Sequence, residues 1–214
     1  MKVKISGIYN TETIDYLQSR TVNSYVFDLR PRSFNFIQEY KLVEIISSKF
    51  YTNNYIFLRF ENEKNFVIEK IINNFKFNNV LLEFSGSEDL EFVEQFKKKF
   101  VYHFSDFDKL EKIILSKYLD SIELDYKELV YFYENNKLEK FVIEFFKMIN
   151  RRDKDLPKIK INIKKDWEDE IYEGINQYFS FDHYTFTINN FVESSFRNID
   201  LKKVGGYIEY FSTL

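Results

Sequence analysis

No cysteine occurs in the 214 residues, so neither a disulfide framework nor a thiolate metal site can form. Glycine is scarce, with five residues at Gly7, Gly86, Gly174, Gly205 and Gly206. No G-x-G-x-x-G turn, P-loop or H-E-x-x-H helix is present, which removes the common nucleotide and zinc signatures. Neither sign of charge dominates: 31 basic and 34 acidic residues leave a net charge of −3, giving no bulk attraction to nucleic acid or an anionic membrane. The basic clusters at 97–99 and 151–155 are isolated and make no stripe for a phosphate backbone. Long apolar runs are missing too. The strongest, "FVIEFFKMI", is interrupted by Glu144 and Lys147 and is too short to span a bilayer. The first residues lack the pattern of a signal peptide, and the expectation is a soluble, cytoplasmic protein. No linker rich in proline, glycine or serine divides the chain, so residues 1–214 are expected to form one domain.

Core-forming residues are abundant: 44% of the chain is hydrophobic and 20% aromatic, which argues against disorder. Eight short β-type runs recur, at 3–6, 24–29, 54–60, 79–85, 100–105, 121–125, 158–163 and 184–188. Helical periodicity fills the intervals. It is clearest over 134–150, where Leu138, Phe141, Val142, Phe145, Phe146 and Ile149 share one face. In "NEKNFVIEKIINNF", Phe66, Val67, Ile71 and Phe75 form the apolar side. "EDLEFVEQFKKKF" has the charge order of a helix over 88–99, Asn10 marks a helix start, and "DWEDEIYEGINQYF" has Asp166 as a plausible N-cap. Such alternation predicts parallel strands joined by helical crossovers. It fits an α/β fold, either a (βα)8 barrel or a doubly wound open sheet. In a barrel, function gathers where the strands end. Those positions are Ser6, Arg30, Phe60, residues 83–86, residues 103–106, Asp125, Lys164, Lys165 and residues 189–193.

Three segments then carry a resemblance. "MKVKISGIYNTETIDY", "YVFDLRPRSFNFI" and "INNFVESSFRNIDLKKVGGYIEYF" are similar, in that order, to the opening, the second strand with its loop, and the end of phosphoribosylanthranilate isomerase. That family comprises (βα)8 barrels of tryptophan biosynthesis that perform an Amadori rearrangement. The resemblance implies a single eight-stranded barrel. It places Ser6 at the family's cysteine general base and Asp125 at its aspartate general acid. It puts Asn35 where an arginine faces the substrate, with Arg30 and Arg32 nearby at different offsets. His103, from its place at the end of the fifth strand rather than from the resemblance, is a further candidate substrate contact. The phosphate would lie by Lys164, Lys165, Asn189 and Asn190.

The departures from the family weigh on function. A thiol ionises near pH 8.5, whereas an aliphatic hydroxyl is a weaker acid by at least about four units, roughly 5 kcal/mol less access to the anion. A serine in that place needs a neighbouring base, and neither His103 nor His183 can be paired with Ser6 from sequence. The family's glycine turns, which let backbone amides approach a phosphate, are replaced by "IKK" and "NNF", where Phe191 would push a ring into the phosphate's space. Lys164 and Lys165 could hold an anion by charge alone, or they form a solvated loop. "YKELVYFYENNKLEK" stands where the family has a glycine-containing loop after the sixth strand.

His103 with Asp106 and Asp108 has a spacing that a helix cap at Ser105 or Asp106 explains as well as metal binding does. Glu193 is expected to order the loop into the last helix, and Trp167 to pack at a helix start. No cofactor and no metal is expected. Three functions stay open. One is a diverged, non-isomerising barrel that binds a small molecule, phosphorylated or not, at the old mouth, with a protein partner or a second copy as alternatives. Another is a working isomerase with rearranged residues. The last is a different reaction using Asp125 and His103 as a titrating pair.

Overall fold

The computed structural model describes residues 2–49, 54–75, 79–170 and 172–212. Eight parallel strands close into a barrel: β1 (Val3–Ser6), β2 (Ser24–Asp28), β3 (Tyr55–Phe60), β4 (Val80–Phe84), β5 (Phe100–His103), β6 (Leu119–Asp125), β7 (Lys160–Lys165) and β8 (His183–Thr187). Each pairs with the next, and β1 closes the ring on β8, with Ser6 in register with Thr187. Outside lie α1 (Thr11–Ser19), α2 (Glu39–Lys49), α3 (Asn65–Asn73), α4 (Leu90–Glu94), α5 (Phe107–Ile113), α6 (Tyr126–Glu134), α7 (Leu138–Ile149), α8 (Glu173–Asn176) and α9 (Leu201–Ser212). A small hairpin, β9 (Glu193–Ser195) and β10 (Asn198–Ile199), precedes the last helix. The (βα)8 barrel expected from alternation and resemblance is the fold. Among the described residues no helix is long and apolar enough to cross a membrane.

Local chemistry sets the helix starts. Asn10 Oδ1 accepts the Thr13 amide at 2.8 Å and Asp106 Oδ1 accepts that of Lys109 at 2.8 Å, each satisfying an amide that has no partner inside its helix. Helix α7 buries Leu138, Phe141, Val142 and Phe145. Its rings pack on one another and on Phe104, with Phe104 and Phe141 edge to face at 5.5 Å.

Two local expectations are corrected, and one helix is added. The segment after β6 is the helix α6, with Asp125 as its cap, and a turn with Asn136 at φ 54° separates it from α7. Phe66 is exposed, because the buried stripe of α3 runs through Ile68, Ile71, Ile72 and Phe75 instead. Asp166 caps no helix. Its amide donates to Asp169 Oδ2 at 2.8 Å in an irregular turn, and only Glu173–Asn176 is helical there. Trp167 explains the detour: its ring is buried against Phe186 at 4.8 Å, and its indole N–H donates to the Thr187 carbonyl at 2.7 Å.

The strand alternation divides the core in two. Side chains facing outward join the helices in one large apolar cluster. Those facing inward form a separate layer of Val26, Phe57, Leu81 and Val101 from β2 to β5. Two residues further along the same strands stand Asp28, Arg59, Glu83 and His103, so the period of two brings charged groups to the mouth.

Candidate functional site

At the mouth, Ser6 ends β1 and is fully enclosed, and its Oγ has no hydrogen-bond partner. Next to it Gly7 takes φ +84°, and a Cβ there would overlap the Asn35 side chain. Asn35 is buried in turn, and its Nδ2 donates to the Ile188 carbonyl at 2.7 Å. It thus ties the loop after β2 to the end of β8. Asp28 organises that loop, accepting from Arg30 Nε at 2.8 Å, Arg30 Nη2 at 2.6 Å and Ser33 Oγ at 2.6 Å. Burial alone would raise the Asp28 pKa, but the bonds from Arg30 and Ser33 bring it below the usual range. Arg30 is therefore held by Asp28, with Glu61 of the next loop 3.7 Å from its Nη1, and Arg32 is exposed.

A cavity of about 580 Å³ opens between the loops after β2 and β8, bordered by Arg30, Phe34, Asn35, Glu168, Asn189 and Asn190 among others. Its β8 side is a closed turn. Asn189 Oδ1 accepts the Phe191 amide at 3.0 Å, and the Asn189 carbonyl accepts that of Val192 at 3.0 Å. Phe191 borders the cavity, yet its ring leans onto Tyr207 of α9 at 5.7 Å with Lys203 Nζ 3.5 Å from its centroid. Tyr9 donates to Glu193 at 2.6 Å, so Glu193 joins the first and last loops.

Alternation separates the two lysines of β7. Lys164 faces inward and lies 3.6 Å from Asp125. Lys165 turns outward and is buried against the rings of Tyr126 and Phe211, with Nζ donating to the Asp169 carbonyl. Burial lowers its pKa to about 8. Asp125 Oδ1 accepts the Lys127 amide at 2.9 Å, so the carboxylate serves as the cap of α6. The expected pairing of Asp125 with His103 does not form, because β6 offers His103 a different carboxylate, Glu123.

That carboxylate belongs to a buried cluster. Lys4 Nζ lies 2.7 Å from Glu123 Oε1 and 3.2 Å from Glu83 Oε2. Arg59 donates through Nε to Glu83 Oε1 at 2.6 Å, and Thr185 Oγ1 donates to Glu123 at 2.5 Å. His103 Nε2 is 2.9 Å from Glu83 Oε1 and 3.1 Å from Glu123 Oε2. Burial pushes both glutamates up, but Arg59 with Lys4 holds Glu83 well below the usual carboxylate range, and Lys4 above all does the same for Glu123 to a lesser degree. Glu83, His103 and Glu123 place donor atoms within 4.8 Å of one another, a spacing a divalent cation can use. Lys4 and Arg59 balance the two negative charges, while Glu123 Oε2 is left without a hydrogen bond.

From end to end, the chain superposes on solved isomerases. With the enzyme of Thermotoga maritima it shares 14% identity and a TM-score of 0.68 over 100% of both chains. With that of Thermus thermophilus the figures are 13% and 0.68, over 100% of this chain and 99% of that one. The chain has the fold of phosphoribosylanthranilate isomerase. A further structure of that isomerase, 15% identical with a TM-score of 0.67 over 100% of both chains, holds reduced 1-(O-carboxyphenylamino)-1-deoxyribulose 5-phosphate. No protein-family model matches this sequence, and no curated protein matches it.

On this phosphoribosylanthranilate isomerase-like barrel, Ser6 and Asp125 stand at the ends of β1 and β6, as the resemblance implies, and Asn189 and Asn190 follow β8. Lys4, Arg59, Glu83 and Glu123 were not singled out by sequence reasoning, apart from Glu83 as a strand end. The available signal was a charge inside a strand of otherwise apolar residues. A parallel strand covered on both faces should read as continuously hydrophobic, and "YIFLRF" and "LLEF" do not.

Proposed function

We propose that the chain is a diverged relative of phosphoribosylanthranilate isomerase that binds a small molecule at its mouth and does not turn over the family's substrate efficiently. The observation that carries this is Ser6. Its hydroxyl is fully enclosed, and no base lies within hydrogen-bond reach, so neither accessibility nor activation favours proton abstraction there. Asp125 supports the same view, since its carboxylate is engaged by the Lys127 amide and paired with Lys164. The turn after β8 uses its own amides internally, which leaves little of a backbone phosphate cradle.

Binding rests on the cavity of about 580 Å³, a size suited to a small ligand. Its lining mixes Arg30, Glu168 and side-chain amides, which suits a polar molecule. Trp167 is the only tryptophan and sits beside Glu168, so its emission reports on occupancy. The test has two arms. Introduced into a tryptophan auxotroph lacking the isomerase, the gene is expected not to restore growth; restored growth would support an active isomerase and overturn the proposal. A thermal-shift and Trp167-fluorescence screen with inorganic phosphate and phosphorylated sugars is expected to give saturable binding, and a flat response to all of them would remove the binding half.

A further inference from the structure

We propose that His103 is a proton-accepting group at the floor of the mouth, held by Glu83 and Glu123, for a small molecule with an acidic C–H bond. The assignment is independent of what fills the cavity between β2 and β8. It starts from acceptors. Ionised carboxylates only accept hydrogen bonds. His103 Nε2 is hydrogen-bonded to Glu83 Oε1 at 2.9 Å, with Glu123 Oε2 3.1 Å away but outside hydrogen-bond geometry. Nε2 therefore carries the hydrogen, and in the neutral ring Nδ1 is left with its lone pair. Among the described residues Nδ1 makes no hydrogen bond.

Position brings the ring towards the mouth. His103 is the last residue of β5 and faces inward, at the end of the barrel where the loops gather. Its side chain is 20% exposed, whereas those of Glu83 and Glu123 are 0% exposed. The glutamates are fixed from behind by Lys4 and Arg59, so the ring is oriented by groups that cannot move without breaking a buried network. Carboxylates behind an imidazole set its tautomer and stabilise the imidazolium that forms. In the step itself, the substrate C–H bond breaks and its proton moves to Nδ1. The electron pair stays on carbon or passes into an adjoining carbonyl. Return of the proton regenerates the neutral ring, so no other reactant is required. Glu83 and Glu123 are positioning residues.

The probe is 5-nitrobenzisoxazole, whose C–H deprotonation breaks its N–O bond and releases a coloured phenolate. The protein should convert it at least about tenfold faster than the same concentration of 4-methylimidazole, and His103→Gln should remove that excess. Replacing Glu83 by Gln should move the rising limb of the pH–rate profile to lower pH. One negative charge facing the imidazolium is then lost, while Glu123, Lys4 and Arg59 still face it; a purely structural role would leave the limb in place. A rate equal to that of free imidazole, or one retained by His103→Gln, would overturn the proposal. Nitrogen-15 NMR of the unmodified protein decides even where variants do not fold. In its neutral form the His103 ring should carry its proton on Nε2, with Nδ1 bare. A proton on Nδ1, or displacement of the Nε2 proton by stoichiometric zinc, would refute the assignment, the latter making the trio a metal site.

Discussion

Lys4 Nζ lies between two carboxylates in the barrel, 2.7 Å from Glu123 and 3.2 Å from Glu83, with all three side chains fully enclosed. Charges at this depth are tolerated only in matched sets. Lys4→Met leaves Glu83 and Glu123 with Arg59 as the remaining strong cation, and breaking a buried pair in this way costs roughly 3–5 kcal/mol. The urea midpoint should fall accordingly with little change in slope. Adding Glu123→Gln should recover part of the loss, because the residues are coupled. An additive double variant would show that the network is not a unit.

The same cluster shows where sequence was informative and where it stopped. All eight strands were legible, since runs such as "VKIS" and "NYIFLRF" are short, β-rich and separated by helical periods. Asn10 announced a helix start through its side-chain chemistry, and of the two candidate caps Ser105 and Asp106 it is Asp106 that caps α5. The inward charges were not legible as a site. Arg59 and Glu83 are register partners on adjacent strands, but Lys4 on β1 and Glu123 on β6 meet them only because the barrel closes. Trp167 was hidden for a related reason: burying its ring against β8 overrides the helical pattern around Asp166. The two lysines of β7 looked like one anion site, but their one-residue spacing sends them to opposite sides of the sheet.

Ser6 offers a prediction of opposite sign. A buried hydroxyl without a partner forfeits its hydrogen bond to water and gains none in return. Ser6→Ala should therefore stabilise the fold, by about 1 kcal/mol, as read from the denaturant midpoint. A clear loss of stability would mean that Ser6 Oγ has a partner in solution.

Acid sensitivity should trace in part to His183. Burial lowers its pKa to about 4, with help from Lys4, Lys2 and Lys160 and against Asp182. In the unfolded chain the ring titrates at its ordinary 6.5. Between those values the unfolded state binds the extra proton, so the His183 contribution is complete above pH 6.5 and is lost as the pH falls towards 4. His183→Gln should flatten the melting temperature over that window. The steeper decline below the ordinary carboxylate value of 4.5 should persist, because Glu83 and Glu123 are held below it in the fold. An unchanged profile in His183→Gln would show that the ring is already solvated.

Gly86 links the backbone to the proposed base. It adopts φ +90°, and a Cβ on it would collide with the carbonyl oxygen of His103. Its own carbonyl accepts from Lys109 Nζ at 3.0 Å and from the Ser105 and Tyr102 hydroxyls at 3.3 Å each, so the loop has little room to retreat. Gly86→Ala combines a disfavoured dihedral with that contact and should cost more than about 1 kcal/mol. Relief requires the end of β5 to shift, which would carry the imidazole away from Glu83 and Glu123. The variant should therefore lose both melting temperature and the Nε2-protonated signal of the neutral His103 ring. Loss of stability with the ring signal intact would mean that the loop yields and β5 does not.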